Sequence, residues 1–407
     1  HSADVAAVEI FLLGDLSEVG RLAALNLAHP PVTACQGDLD GGRRTFSGQG
    51  RGNALWHDHL PPPAVPSYNP DGSLAGASTL DLAGEYFLDP ARKYRHPDDV
   101  KDGPLRPWGL GPRVPMYVIS PWSRGGWVNS QVFDHTSVGR FIEHRFGVTV
   151  PAISPWHRAV CGDLVSAFDF AAPNDPVVPA LPDARGASAI VLAHIQRPMP
   201  VPPALPVPAR QEPGVRPSRA LPYALRVDTR LIDDGKTIAL TFGNKGGAGA
   251  VFHVYDRQHL ERIPRRYTVE AGKSLDDTWP AVEGCDLDVH GPNGFLRRVR
   301  MPAAAAAARS GATPVVTVHE RPTVPDLDIV VHNAGKTPLD LTVRDNAYGA
   351  QDVALRVPAG RDVRHAWPTA DSGQWYDVSV VSGQVEWRFA GRIETGAPGI
   401  SDPAIGT

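Results

Sequence analysis

The sequence predicts an α+β protein of several domains, in which a partial α/β domain precedes two small β-sandwiches. Three observations carry this prediction. The chain has 407 residues, more than one ordinary hydrophobic core accommodates. A proline-dense stretch at 198–222 divides it, and the region beyond repeats itself with a period of roughly ninety residues. The 41 prolines and 40 glycines favour short strands joined by turns.

In the front half, a predicted strand is followed by a loop and a predicted helix, as in an α/β domain. The stretch VPMYVIS (114–120) has the length and composition of a strand, and a loop then leads to TSVGRFIEHRFG. Asp134 or Thr136 can cap the N-terminus of a helix in that segment, and Gly147 can end it. The apolar residues recur at helical spacing: Val138, Phe141, Ile142 and Phe146.

Two segments read as connectors. Residues 198–222 contain so many prolines that neither a helix nor a central strand can persist, which predicts an extended linker. The alanine run at 303–308 lies between two matching segments, so 303–312 is interpreted as a second, shorter linker.

The matching segments predict sandwich repeats at 223–302 and 313–396, with a tail at 397–407. Apolar residues alternate within short spans that end at Gly, Asn or Pro, as expected for half-buried antiparallel strands. We expect the shared Trp-Pro and Ala-Gly positions to be packing and turn residues. The aligned pairs are Asn244 with Asn333, Asp256 with Asp345, Trp279 with Trp367, and Asp286 with Asp377.

Charge and composition exclude some classes of function. The formal net charge is −4, so no basic field supports a nucleic-acid partner. No apolar run approaches the roughly 18 residues of a transmembrane helix. Cys35, Cys161 and Cys285 lie far apart, which indicates neither a disulfide framework nor a cysteine metal motif.

Three ordered stretches of the front half resemble the C-terminal half of the catalytic domain of phosphocholine-preferring bacterial phospholipases C, a phosphoesterase family. The two repeats look like the paired C-terminal domains of the same family. The stretches are WHDHLPPPAVPSYNPDGSLAGASTLDLAGEY (56–86), GLGPRVPMYVISPWSRGGWVNSQVFDHTSVGRFIEHRFGV (109–148) and ISPWHRAVCGDLVSAFDF (153–170).

The resemblance implies an alkaline-phosphatase-like fold for residues 56–197. It also implies hydrolysis of phosphatidylcholine- or sphingomyelin-like lipids with a divalent metal ion, at a phospholipid head group or membrane surface, by a secreted or periplasmic protein. Such chemistry needs an in-line nucleophile and a cation to hold the developing phosphoryl charge.

The chain departs from the family at its start. Residues 1–55 lack the Glu-Asn pair and the Arg-Ser-Phe-Asp-His motif, and GQGRGNALWHDHL replaces the acidic run ahead of the prolines. We interpret 1–55 as an unmatched, disordered or frame-shifted segment, and the chain as an incomplete, weakly active or inactive copy with the N-terminal catalytic half missing. The alternative is a non-catalytic lipid- or protein-binding β-sandwich module.

Asp58 and His59 are the first candidate catalytic residues, and Asp58 is also a candidate metal ligand. Imidazole and carboxylate are suitable ligand and proton-transfer groups, and His57 adjoins them. The competing interpretation is an exposed turn before three prolines. His135 is the third candidate, placed at a helix N-terminus where anions are favoured, although a simple cap is equally compatible with the pattern.

Arg124, Trp122 and Trp127 are the candidate substrate-binding residues. Arg124 could clamp a phosphate, or it could bond carbonyls of its own glycine-rich loop. Tryptophan faces attract quaternary ammonium groups such as choline, but loop packing is the favoured interpretation for these rings and for Trp108 and Trp156.

Overall fold

The computed structural model describes residues 9–12 by their backbone alone, and 62–87, 105–111, 116–171, 214–232, 235–303 and 314–405 with side chains. The front half holds two helices, α1 (Thr136–Phe146) and α2 (Pro155–Val160), and a 3₁₀ turn at Val165–Ala167. Its strands are β1 (Glu9–Leu12), β2 (Ser67–Tyr68), β3 (Leu74–Ser78), β4 (Tyr86–Phe87), β5 (Arg106–Pro107) and β6 (Met116–Ile119).

From residue 217, at the end of the proline-rich stretch, the described chain consists of strands and their connections. Those up to the alanine run are β7 (Pro217–Ser218), β8 (Leu225–Ile232), β9 (Thr237–Asn244), β10 (Ala250–Asp256), β11 (Arg265–Val269), β12 (Ser274–Pro280), β13 (Gly284–His290) and β14 (Leu296–Pro302). Those after it are β15 (Val315–Arg321), β16 (Asp326–His332), β17 (Leu339–Asp345), β18 (Val353–Val357), β19 (Asp362–Pro368), β20 (Trp375–Ser382), β21 (Val385–Arg392) and β22 (Gly399–Ile400).

Each repeat forms a β-sandwich, as the sequence predicts. In the first, the sheet β12-β9-β8 packs on β11-β10-β13-β14, with Phe242 and Phe252 in ring contact across the two layers. In the second, β15-β16-β19 packs on β18-β17-β20-β21. Alternate residues of β9 are buried, and Trp279 and Trp367 lie in the core, which confirms the packing interpretation of these tryptophans.

The two sandwiches share one sheet. Strands β14 and β21 pair antiparallel, and β3 and β2 extend the other edge, giving ten strands in all. Arg298 lies opposite Arg388 at the junction. Each arginine forms two hydrogen bonds to an aspartate of its own repeat, Arg298 to Asp286 and Arg388 to Asp377. An approximate two-fold axis through this junction thus relates the two repeats. Corresponding loops of the two sandwiches therefore point to opposite ends of the sheet.

The aligned asparagines have the same role in both repeats. Each side chain is buried, its nitrogen donates to backbone carbonyls and its oxygen accepts an N–H two residues on, which fixes a turn from inside the core. The partners are Ala248 O, Val269 O and Gly246 N for Asn244, and Thr337 O, Val357 O, Pro358 O and Gly335 N for Asn333.

The front half confirms the predicted strand and helix. Strand β6 lies within 114–120, and α1 ends at Gly147, which adopts the left-handed conformation at φ 66°. The N-cap residue is His135, which makes no side-chain cap hydrogen bond, and just before it Asp134 Oδ1 accepts both the N–H and the hydroxyl of Thr136. The helical spacing predicts a buried apolar face, yet Ile142 and Phe146 are exposed, and the guanidinium of Arg145 lies over the Phe146 ring at 5.2 Å.

The front half packs against the first sandwich. Strand β3 pairs parallel with β11, and the fully buried Trp156 of α2 donates its indole N–H to Thr268 at 2.9 Å. At the end of the proline-rich stretch, β7 pairs with β22 and Leu221 enters the core. Within the described residues, no helix combines the length and the apolar character that a bilayer crossing requires.

Candidate functional site

A buried charged cluster lies where α2 meets the start of α1. The ring of His157 lies between two carboxylates, with Nδ1 3.6 Å from Glu85 Oε2 and Nε2 3.5 Å from Asp134 Oδ2. The Ser154 hydroxyl is 2.9 Å from Nδ1 and also caps α2 by accepting the His157 N–H. Glu85 is only 2% exposed, so its charge must be compensated within the protein.

The environment favours the charged forms of this cluster. Burial would raise the pKa of Glu85, but hydrogen bonds from His157 and Ser154 and the His157 charge outweigh it and lower that pKa. The hydrogen bond to Glu85 raises the pKa of His157 against the effect of burial, and the Asp134 charge adds to the rise. In its protonated form, His157 thus links the residue before β4 to the start of α1.

His135 follows Asp134 directly and occupies the N-cap position of α1, with its side chain exposed. Asp134 is held on one side by Thr136 and on the other by His157, and the N–H of Asp134 donates to the Ser137 hydroxyl. The backbone that carries His135 is thus fixed from both sides. An exposed imidazole at a helix N-terminus can exchange protons with an anionic ligand there.

Trp122 is joined to the same helix by a series of aromatic contacts. Its ring lies 5.9 Å from Phe170, which stacks on Phe168, and Phe168 stacks on Phe141 of α1. Arg124 lies two residues along the same loop and is exposed. The half-buried Trp122 and the exposed Arg124 thus lie on the loop before α1.

Trp127 lies in a separate environment. The guanidinium of the buried Arg219 lies over its ring at 4.5 Å, so a protein cation already occupies one face. Among the described residues, no ring contact joins Trp127 to Trp122. The structure thus does not bring these two predicted binding residues into one aromatic cage.

Asp58 and His59, and with them His57, lie outside the described residues. In the part of the chain that is described, no group of three or more His, Cys, Asp or Glu side chains is placed to hold a metal ion. Glu85 and Asp134 contact opposite nitrogens of His157, so one ion cannot bridge all three side chains. The described residues do not fit the divalent metal that the resemblance implies.

Glu85, Ser154 and His157 were not predicted from the sequence. They lie within the stretches that resemble the phosphoesterase family, but Glu85 and His157 are far apart along the chain and no spacing signal connects them. Cys161 lies in the same region, and burial strongly raises the pKa of its thiol, so it stays protonated and is a poor nucleophile.

Two family models match the chain in agreement with this architecture. The model described as the phosphoesterase family matches residues 53–149, which include α1 and the loop with Trp122. The model described as the bacterial phospholipase C C-terminal domain matches twice, at 217–300 and 314–392, once for each sandwich.

Named relatives give the same result. The chain is 49% identical to a non-hemolytic phospholipase C of Pseudomonas aeruginosa over 87% of this chain and 51% of that protein. It is 42% identical to a non-hemolytic phospholipase C of Burkholderia pseudomallei over 87% and 50%, and 36% identical to a hemolytic phospholipase C of P. aeruginosa over 86% and 50%. The chain spans about half the length of these curated relatives. The chain is thus similar to bacterial phospholipases C, with a phosphoesterase-family match ahead of two matches to the bacterial phospholipase C C-terminal domain.

Proposed function

We propose that the protein takes part in phospholipase C-type hydrolysis, in which the phosphodiester of a phosphatidylcholine- or sphingomyelin-like lipid is split into a phosphorylated head group and a diacylglycerol or ceramide. The observation that supports this most strongly is the identity of 49% to a phospholipase C across both the phosphoesterase segment and the two sandwiches.

We assign His135 to proton transfer. Cleavage of the bond between phosphorus and the glycerol oxygen leaves an alkoxide that needs a proton, and an exposed imidazole can supply it. The Glu85–His157–Asp134 cluster holds the backbone on which His135 lies. Arg124 would bind phosphate oxygens and Trp122 the quaternary ammonium group. Trp127 offers at most the face that Arg219 leaves open.

We also propose Asp58 and His59 as catalytic residues, with Asp58 as a metal ligand. The metal would stabilise negative charge on the phosphoryl group. Because the described residues do not build such a site, the roles given to His135, Arg124 and Trp122 rest on these side chains alone. An alkaline-phosphatase-like fold for 56–197 and a secreted or periplasmic location are part of the same proposal.

Hydrolysis of a water-soluble short-chain phosphatidylcholine, which releases the same glycerol alkoxide, tests the proposal. With divalent metal present, we expect slow turnover that falls about 100-fold in His135→Ala. His144→Ala is the matched control, because His144 is also exposed on α1 but lies two turns further on. A parent rate equal to that in buffer would contradict the proposal and favour a non-catalytic lipid-binding module.

A further inference from the structure

One end of the first sandwich carries exposed aliphatic side chains at the tips of its loops. Leu260 and Ile263 lie in the loop between β10 and β11, each 38% exposed, and Val282 lies in the turn between β12 and β13, 66% exposed. Asp256 at the end of β10 pairs with Leu287 near the start of β13, so both loops emerge at the same end. Leu74 is also exposed there, because β3 runs parallel to β11 and begins level with this loop.

The fold does not require these aliphatic residues. In the second sandwich the corresponding loops are 346–352, of sequence NAYGAQD, and 369–374, of sequence TADSGQ. Neither contains a Leu, Ile or Val, and Tyr348 of the first donates its hydroxyl to Asp402 at 3.0 Å. The two sandwiches have the same arrangement of strands and the same kind of core. The aliphatic loop tips of the first sandwich are therefore not needed for folding and belong to its surface.

The same loop is basic. Loop 257–264 holds two arginines, Arg257 and Arg262, and one glutamate, and two more arginines begin β11, whereas the corresponding loop of the second sandwich holds no Arg or Lys. Arg257 and Arg265 are anchored by Asp288 and Asp277 at the base of the loop. The Arg262 side chain lies beside the aliphatic residues and is 61% exposed. Its ion pair with Asp256 is long, at 3.4 Å between nitrogen and oxygen.

We propose that this end of the first sandwich, formed by loops 257–264 and 281–283, docks onto a phosphatidylcholine-rich bilayer surface. Leu260, Ile263 and Val282 would enter the head-group region, and Arg262 would contact lipid phosphates. The inference rests on the proposed function, because that function makes a phospholipid surface the partner.

Shape and charge favour lipid over a protein partner. The aliphatic residues stand at separate loop tips and include no aromatic side chain, whereas the centres of protein interfaces are enriched in aromatic residues. Aliphatic side chains next to cationic groups are the combination that binds at the interface of a bilayer, where apolar groups enter and arginine meets phosphate.

Sedimentation with phosphatidylcholine vesicles tests the proposal on the whole chain. We expect the parent to sediment with the vesicles and the double variant L260S/I263S to bind about tenfold more weakly. V324S is the control, because Val324 is 45% exposed in a loop of the second sandwich, at the opposite end of the sheet. All three residues are exposed, so unchanged circular dichroism and thermal midpoints should show that the variants fold.

Several outcomes overturn the docking proposal. These are a parent that does not sediment, a double variant that binds like the parent, and a double variant whose main change is a lost self-association in analytical ultracentrifugation. Failure of docking with retained hydrolysis of a soluble phosphocholine ester would contradict this proposal alone. Retained docking without hydrolysis would contradict the proposed function alone.

Discussion

His157 and Glu85 illustrate what single residues reveal only in three dimensions. Their charges compensate each other although they belong to different elements, and nothing in the sequence pairs them. By contrast, the internal repeat aligns Asn244 with Asn333, and the structure gives both side chains the same internal hydrogen bonds. Of the two cap candidates, Asp134 and Thr136, Asp134 accepts the Thr136 N–H in a local interaction at the start of α1.

The charged cluster should give a defined pH dependence of stability. The folded pKa of His157 lies above its ordinary 6.5, so its contribution is complete below about pH 6.5 and is lost as pH rises through the folded value. The folded pKa of Glu85 lies below its ordinary 4.5, so its contribution is present above about pH 4.5 and is lost as pH falls through the folded value. We therefore expect the cluster to stabilise the fold most between about pH 4.5 and pH 6.5.

Urea denaturation of His157→Gln across a pH series measures this effect. The difference in the free energy of unfolding between parent and variant should be largest near pH 5.5 and shrink towards pH 8. His259→Gln is the control, because His259 pairs only with the exposed Glu261. A difference that stays constant from pH 5 to 8 would show that His157 acts through packing rather than charge.

At the scale of elements, local patterns predicted strands and helix well but predicted burial poorly. The cap and Gly147 define α1 from nearby residues alone, so its bounds could be read from the sequence. Whether its apolar face is covered depends on elements distant in sequence, and Ile142 and Phe146 remain exposed. The edge-to-edge pairing of β14 with β21 likewise carries no local signal.

The arginine pair at that junction provides a prediction for the shared sheet. Asp377 is almost fully buried and is neutralised by Arg388, so Arg388→Ala should lower the free energy of unfolding by about 3 kcal/mol, because it leaves a buried charge uncompensated. Arg356→Ala breaks a pair in which both side chains are exposed and should cost less than about 1 kcal/mol. Equal losses in chemical denaturation would mean that Arg388 is not the main compensation for Asp377.

At the scale of the whole molecule, the sequence predicts two sandwiches joined by a linker, and the structure adds that they share a sheet and a core. The core cluster runs without interruption from residues of the first repeat to residues of the second. We therefore expect the two sandwiches to unfold as one cooperative unit, which a simple model of independent domains would not predict.

Asn333→Ala tests this cooperativity. The change leaves buried carbonyls of the second sandwich without a donor and should lower the free energy of unfolding by about 2 kcal/mol. Hydrogen exchange should then accelerate in β10 and β13 of the first sandwich as well as in β16. Faster exchange confined to the second sandwich would show that the copies unfold separately.

We propose that this protein serves phospholipase C-type cleavage, and the identity of the water-soluble product tests that proposal most directly. After incubation with phosphatidylcholine vesicles and divalent metal, the account predicts phosphocholine in the aqueous phase and diacylglycerol in the lipid phase, both reduced in His135→Ala. Release of free choline with phosphatidic acid, or no product above the level in buffer, would contradict it.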